Sequence, residues 1–95
     1  MHARVSFYDV GDADTAVKGF QPIAGEVTQL EGNRGISFLI DRDGGKAITI
    51  VYYDTREQME ATVERANDMR QRAAKAGGAT VRAVEHYEVA FEEGR

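Results

Sequence analysis

The apolar positions of this chain switch repeatedly between a two-residue and a three-to-four-residue spacing. From Ala3 to Val10, "ARVSFYDV" carries Val5, Phe7, Tyr8 and Val10 and stops at Gly11 and Asp12, as a β-strand does. Val17, Phe20, Ile23 or Ala24, Val27 and Leu30 then recur at helical spacing. Asp12 or Asp14 is placed to cap that helix, and Gly32 suits the left-handed position after its end. Gly19 and Pro22 interrupt it. Proline removes the hydrogen bond to Lys18 and crowds that carbonyl, so the sequence predicts a turn or kink there and a regular helix only from about Gln21.

"RGISFLID" (Arg34–Asp41) alternates Ile36, Phe38 and Ile40 with Gly35, Ser37 and Leu39, a second strand. "RDGG" supplies turn residues that tolerate positive φ, and "KAITIVYY" (Lys46–Tyr53) follows as a third strand antiparallel to the second. Between Thr55 and Gly78 one long helix is predicted. Met59, Thr62 or Val63, Ala66, Met69 or Arg70, Ala73 and Ala76 form its apolar stripe, and charges fill the rest, including an Asp68–Arg72 pair at i,i+4. Asp54 with Glu57, or Thr55 with Gln58, makes its capping box, and Gly77 and Gly78 end it. "ATVRAVEHYEVAFEE" (Ala79–Glu93) reads as a long last strand.

Strand, helix, strand, strand, helix, strand is the ferredoxin-like βαββαβ order of the α+β class. It places two helices on one face of a four-stranded antiparallel sheet, with the first and third strands central. Nothing along the chain reads as a repeat or a linker, so residues 1–95 are expected to form one domain. On the third strand Ile48, Ile50 and Tyr52 point one way, and Ala47, Thr49, Val51 and Tyr53 the other. Both sets are substantially apolar, whereas a solvated face would be polar. Helices cover one face only. A second copy of the chain is expected to cover the other, giving a two-fold homodimer whose paired sheets make an α/β barrel. Partial cover by the C-terminal tail is the alternative. Tyr52 is expected beneath the helices and Tyr53 on the dimer side.

Composition narrows the function classes. The 42% hydrophobic and 29% charged content is ordinary for a globular protein, and 95 residues enclose a modest core that pairing would enlarge. No apolar run approaches the roughly 18 residues needed to span a bilayer. "MHARVSFYDV" reads as a strand and not a secretion signal, so a cytoplasmic location is the default expectation. Zero cysteines exclude disulfides, thiolate nucleophiles and cysteine zinc sites. The net charge of −4 argues against nucleic acid or an anionic membrane as the main partner. RNA-recognition domains share the βαββαβ order, but Ile48 and Ile50 stand where their third strand needs stacking aromatics.

The run from Arg34 to Ala74, "RGISFLIDRDGGKAITIVYYDTREQMEATVERANDMRQRAA", followed by "VEHYEVAF", resembles the antibiotic biosynthesis monooxygenase-like domains of the dimeric α/β-barrel superfamily. The resemblance covers essentially the whole chain. Its motifs are the element order, the glycine before the second strand, and the aromatic-acid-small step entering the second helix. They specify fold more sharply than activity. In such families the position matching Tyr53 is often tryptophan facing the barrel cavity, and this chain has no tryptophan. Members that open haem carry an Asn, Trp and His set, which Asn33, Asn67, His2 and His86 do not reproduce. The resemblance implies a cofactor-independent monooxygenase-like activity on an apolar or aromatic small molecule.

Such a site needs a mostly apolar cavity with a few polar groups. His86 and Tyr53 are the catalytic candidates: an imidazole of ordinary pKa near 6.5 suits proton transfer, and strand alternation puts Tyr53 with Val51 and Thr49, and His86 with Val84. A β-bulge near Glu85 would redirect His86. Ser6, Tyr8, Ser37, Thr49 and Val51 are the candidate substrate-binding residues. No metal is expected, since two widely separated histidines make a poor ligand set, and no organic cofactor, since "GDADTAVKGF" lacks phosphate-loop glycine spacing. Ser6 and Ser37 lie in strands and not on a sharp strand-to-helix turn, which argues against nucleophilic catalysis. The alternative is a non-catalytic dimeric barrel that binds a small ligand or serves structurally.

Overall fold

A computed structural model of the chain describes residues 1–94. Its elements are β1 (His2–Val10), α1 (Ala13–Val27), β2 (Asn33–Asp41), β3 (Lys46–Tyr53), α2 (Arg56–Ala61), α3 (Val63–Gly77) and β4 (Ala79–Glu88). The sheet runs β2-β3-β1-β4 with every pair antiparallel. This is the ferredoxin-like α+β arrangement, with β1 and β3 at its centre. No helix among the described residues is long and apolar enough to cross a membrane.

Local chemistry sets the boundaries. Asp12 caps α1 by accepting from the Thr15 amide at 2.9 Å, and Thr55 caps α2 by accepting from the Gln58 amide at 3.1 Å. Gly78, at φ 64°, closes α3 in the left-handed conformation. In the β2–β3 turn the Asp41 carboxylate accepts from the Gly44 amide, and Gly45 takes φ 65°.

Three expectations are corrected. First, α1 runs unbroken from Ala13 with Pro22 inside it, where a turn before Gln21 was expected. Pro22 lies on the exposed side of the helix, where water can serve the Lys18 carbonyl it leaves unbonded. Gly19 is no breaker either. It lets α1 cross α3 in near contact: a methyl there would stand 2.5 Å from the Gly77 Cα. Second, the long helix is two helices, broken at Thr62 (φ −100°, ψ 4°). The Thr62 side chain is buried and donates from Oγ1 to the Met59 carbonyl at 2.9 Å. The buried stripe follows Met59, Thr62, Ala66, Ala73 and Gly77, while Ala76 is exposed. Third, β4 ends at Glu88, and residues 89–94 leave the strand, with Phe91 exposed.

Two buried clusters lie between sheet and helices. One gathers Tyr8, Val10, Ala16, Phe20, Ala47 and Ala73, the other Val27, Leu30, Val51, Tyr53 and Met59. Phe20 stands edge-on to Tyr8, with ring centres 5.0 Å apart.

Candidate functional site

Register decides which side chains meet. Arg4 pairs with Val51 on one flank and His86 on the other, and Ser6 pairs with Thr49 and Val84. Paired residues in a sheet share a face, so Arg4, Ser6, Tyr8, Thr49, Val51, Tyr53 and His86 all point toward the helices. The face assignment made from sequence is thus reversed: Tyr53 is wholly buried beneath the helices, and Tyr52, half-buried, lies on the open face. The open face holds Val5, Phe7, Ile48 and Ile50, with Leu39 and Ser37 from β2.

Between the two buried clusters is a cavity of about 40 Å³, with walls from Arg4, Ser6, Tyr8, Thr49, Val51 and Tyr53 on the sheet side. Phe20, Ile23, Ala24 and Val27 of α1 and Ala66, Met69, Arg70 and Ala73 of α3 close it from above. A groove of about 320 Å³ between α1 and β2 shares Phe20, Ala24, Ile36 and Thr49 with it. The remaining groove lining is Val17, Gln21, Phe38 and Ile40. The cavity and the apolar groove at the sheet edge thus adjoin across one shared wall.

Its polar wall is organised by Arg4, only 3% exposed. The guanidinium donates from Nε to His86 Nε2 at 3.3 Å, from Nη1 to the Tyr53 hydroxyl at 3.2 Å, and from Nη2 to the Met59 carbonyl at 2.7 Å. Its Cζ also lies 5.4 Å from the Tyr53 ring centre, a cation–π contact. Arg70 reaches the same wall from α3, donating from Nε to Ser6 Oγ at 3.0 Å and from Nη1 to Asn67 Oδ1 at 2.6 Å. Tyr8 and Thr49 share a hydroxyl hydrogen bond of 3.2 Å.

Burial holds the Arg70 guanidinium below its ordinary pKa, and Arg4 adds to that depression against the opposing pull of Tyr8 and Tyr53. His86 is likewise held below the usual imidazole value, by burial first and then by the charges of Arg4 and Arg70, against Glu60. Because Nε2 accepts from Arg4, the imidazole in this hydrogen bond is neutral, with its proton on Nδ1.

Of the residues expected at a site, Ser6, Tyr8, Thr49, Val51 and Tyr53 line this one cavity. His86 shares their face but stands behind Arg4, off the cavity wall. The competing possibility, a bulge near Glu85, is not what β4 shows: its irregularity lies earlier, where Phe7 pairs with Ala83 and Tyr8 with Val81, so Arg82 is the extra residue and His86 pairs with Arg4. Ser37 is placed apart, paired with Ile50 on the open face. His2 is half-buried within β1, paired with Tyr53. Arg4 and Arg70 are site residues that the sequence pattern alone does not single out. The available signal was a charge in a central strand at the same parity as Ser6 and Tyr8, and a second inside the apolar stripe of a helix. Among the described residues no three His, Cys, Asp or Glu side chains converge to hold a metal ion.

No family model matches the chain. Two Mycobacterium tuberculosis relatives are similar in sequence: the uncharacterized protein Rv2558, 37% identical over 63 residues, and the uncharacterized protein Rv2557, 38% identical over 61. The matches cover 66% and 64% of this chain but 26% and 27% of the relatives, so the aligned region is about a quarter of their length. Among solved structures, a variant of SnoaB, a cofactor-independent oxygenase from Streptomyces nogalater, superposes with a TM-score of 0.74 at 13% identity, covering 96% of this chain and 94% of that one. A proposed antibiotic biosynthesis monooxygenase from Deinococcus radiodurans gives 0.71 at 16% identity, covering 100% and 98%. Rv0793 from Mycobacterium tuberculosis gives 0.67 at 15%, covering 99% and 100%. The chain has the fold of the antibiotic biosynthesis monooxygenase-type proteins. Identities this low carry the fold and not the chemistry.

Proposed function

We propose that the helix-side cavity is the active site of a cofactor-independent monooxygenase-like enzyme acting on an apolar or aromatic small molecule. The observation that carries this reading is an apolar cavity with hydroxyls of Ser6, Tyr8, Thr49 and Tyr53 on one wall, the composition a small-molecule site requires. The fold shared with a cofactor-independent oxygenase supports it. The apolar body of the substrate would lie in the α1–β2 groove, with its reacting end in the cavity. Tyr53, which accepts from Arg4, keeps its own O–H to donate to a substrate oxygen. In such a reaction an activated CH2 is deprotonated, and the resulting carbanion reduces dioxygen. One oxygen atom stays on carbon as a carbonyl, and the other leaves as water with the two hydrogens. Tyr53 would orient the substrate, and His86 would position Arg4.

The test is oxygen uptake and product mass with a panel of enolisable aromatic compounds under isotopically labelled dioxygen. One labelled atom per product, with the rate reduced at least about tenfold in Tyr53→Phe, is expected for loss of a group placed at the reacting oxygen. Binding in the cavity without oxygen uptake across the panel would favour the non-catalytic ligand-binding module. One observation leans that way: the basic lone pair of His86 is already occupied by Arg4.

We also propose the homodimer. Val5, Phe7, Ile48 and Ile50 make an apolar patch on the uncovered face, and a second sheet laid on it would complete the barrel.

A further inference from the structure

A buried charge is costly unless a counter-charge or a set of hydrogen bonds compensates it. The six ion pairs among the described residues are all at the surface, and none includes Arg4 or Arg70. The hydrogen-bond partners of the two guanidiniums among the described residues are uncharged: an imidazole, a phenol, a backbone carbonyl, a serine hydroxyl and an asparagine amide. The hydrogen bonds of Arg4 account for its polarity and not for its charge. Of five N–H groups on a guanidinium, Arg4 uses three and Arg70 two, which leaves donors on both. Both residues border the same 40 Å³ cavity, in a protein of net charge −4. Two cations facing one small cavity repel each other, and a single anion between them would relieve both.

Building on the reading of this cavity as the substrate site, we infer that its ligand carries one anionic oxygen group on an apolar body, the anion seated between Arg4 and Arg70 and the body in the α1–β2 groove. A carboxylate and an ionised phenol or enol share that chemistry. A planar oxyanion matches the fork of a guanidinium, and the hydroxyls of Tyr53 and Ser6 complete its shell. The dimensions allow it: the inner cavity admits a small head group, and the groove, about 320 Å³, has room for a ring and more.

Binding tests this without any turnover. The full chain is titrated with benzoate, with its uncharged isostere benzamide, and with p-nitrophenol, whose ionised form absorbs at its own wavelength. Shifts of the Tyr53 and Thr49 amide resonances locate the ligand. Benzoate is expected to bind at least about tenfold more tightly than benzamide, as a charge-assisted hydrogen bond does over a neutral one. Retention of p-nitrophenolate below the pH at which the free phenol ionises extends the class from carboxylates to phenolates. Arg70→Gln, on a half-buried helix position, should erase most of the preference while the chain stays folded by circular dichroism. Equal affinity for benzoate and benzamide overturns the inference and leaves the cavity as a neutral-ligand site. Failure of both to perturb the cavity residues overturns it as well. Anion preference without oxygen uptake removes the oxidative reading and leaves this one standing.

Discussion

The guanidinium of Arg4 donates to the main-chain carbonyl of Met59 across 2.7 Å, at the point where α2 stops and α3 begins. The break at Thr62 is therefore held from the sheet below. One side chain ties a helix junction to a phenol and an imidazole on two other strands.

Arg4→Lys keeps the charge but loses the fork, and one ammonium cannot reach three acceptors spread over β3, β4 and α2. A loss of about 1–3 kcal/mol is expected in chemical denaturation, from buried acceptors left unpaired. A change below about 0.5 kcal/mol would mean that the fork does not hold the junction.

Two glycines of α1 should respond to alanine with opposite signs. At Gly19 the added methyl would meet the α3 backbone, 2.5 Å from the Gly77 Cα, so Gly19→Ala must push the helices apart. A cost of about 1–3 kcal/mol is expected despite the gain in helix propensity. Gly25 is exposed, with nothing within 4 Å of an added methyl, so Gly25→Ala should stabilise by about 0.5–1 kcal/mol. Thermal melts of the two variants decide it, and the same sign in both would refute the close helix crossing.

His86 predicts a pH dependence. Its folded pKa lies below the ordinary imidazole value, for the reasons of burial and the Arg4 and Arg70 charges. The unfolded chain therefore takes up a proton at a higher pH than the folded one. The contribution of His86 is fully present above the unfolded value near 6.5 and is lost as the pH falls from there through the lower folded value. Denaturation of the native chain and of His86→Gln should diverge across that window, with the variant the flatter of the two. Asp12 and Glu26 act in the acid range below it, because their hydrogen bonds to Thr15 and Arg72 lower carboxylate pKa values. Parallel profiles for both proteins between about pH 7 and 5 would show that the imidazole is not held neutral.

Ile50 pairs with Val5 on one side and Ser37 on the other, in the middle of the uncovered face. The chain is expected to run as a dimer in light scattering, and Ile50→Glu as a folded monomer, because a carboxylate in a sheet-on-sheet interface has no partner. A native chain that is monomeric at every concentration would end the barrel proposal.

The elements and their order were legible because periodicity is a local property. Caps were legible too, as alternatives: Asp12 or Asp14, Asp54 or Thr55, with the structure selecting Asp12 and Thr55. Pro22 misled because the cost of proline in a helix depends on whether its face is buried, and here it is exposed. Thr62 misled because its break is stabilised by partners outside the helix, Arg4 among them.

Alternation put Tyr53 with Thr49 and Val51 and separated them from Ile48 and Ile50, and the β1–β3 register adds Ser6 and Tyr8 to the first set. Parity of this kind says which side chains travel together and not toward which layer they point. That choice belongs to the crossover helices, which cross each other at Gly19 and Gly77, pack Ala16 and Ala73 against the tyrosine-bearing face and leave the isoleucines outside. The site followed the same division. The residues named from sequence divide: Ser6, Tyr8, Thr49, Val51 and Tyr53 line the cavity, Ser37 lies on the open face, and His86 stands behind Arg4. The meeting of Arg70 with Ser6, 64 positions away in the chain, depends on how α3 lies across the sheet, and no local pattern encodes that distance.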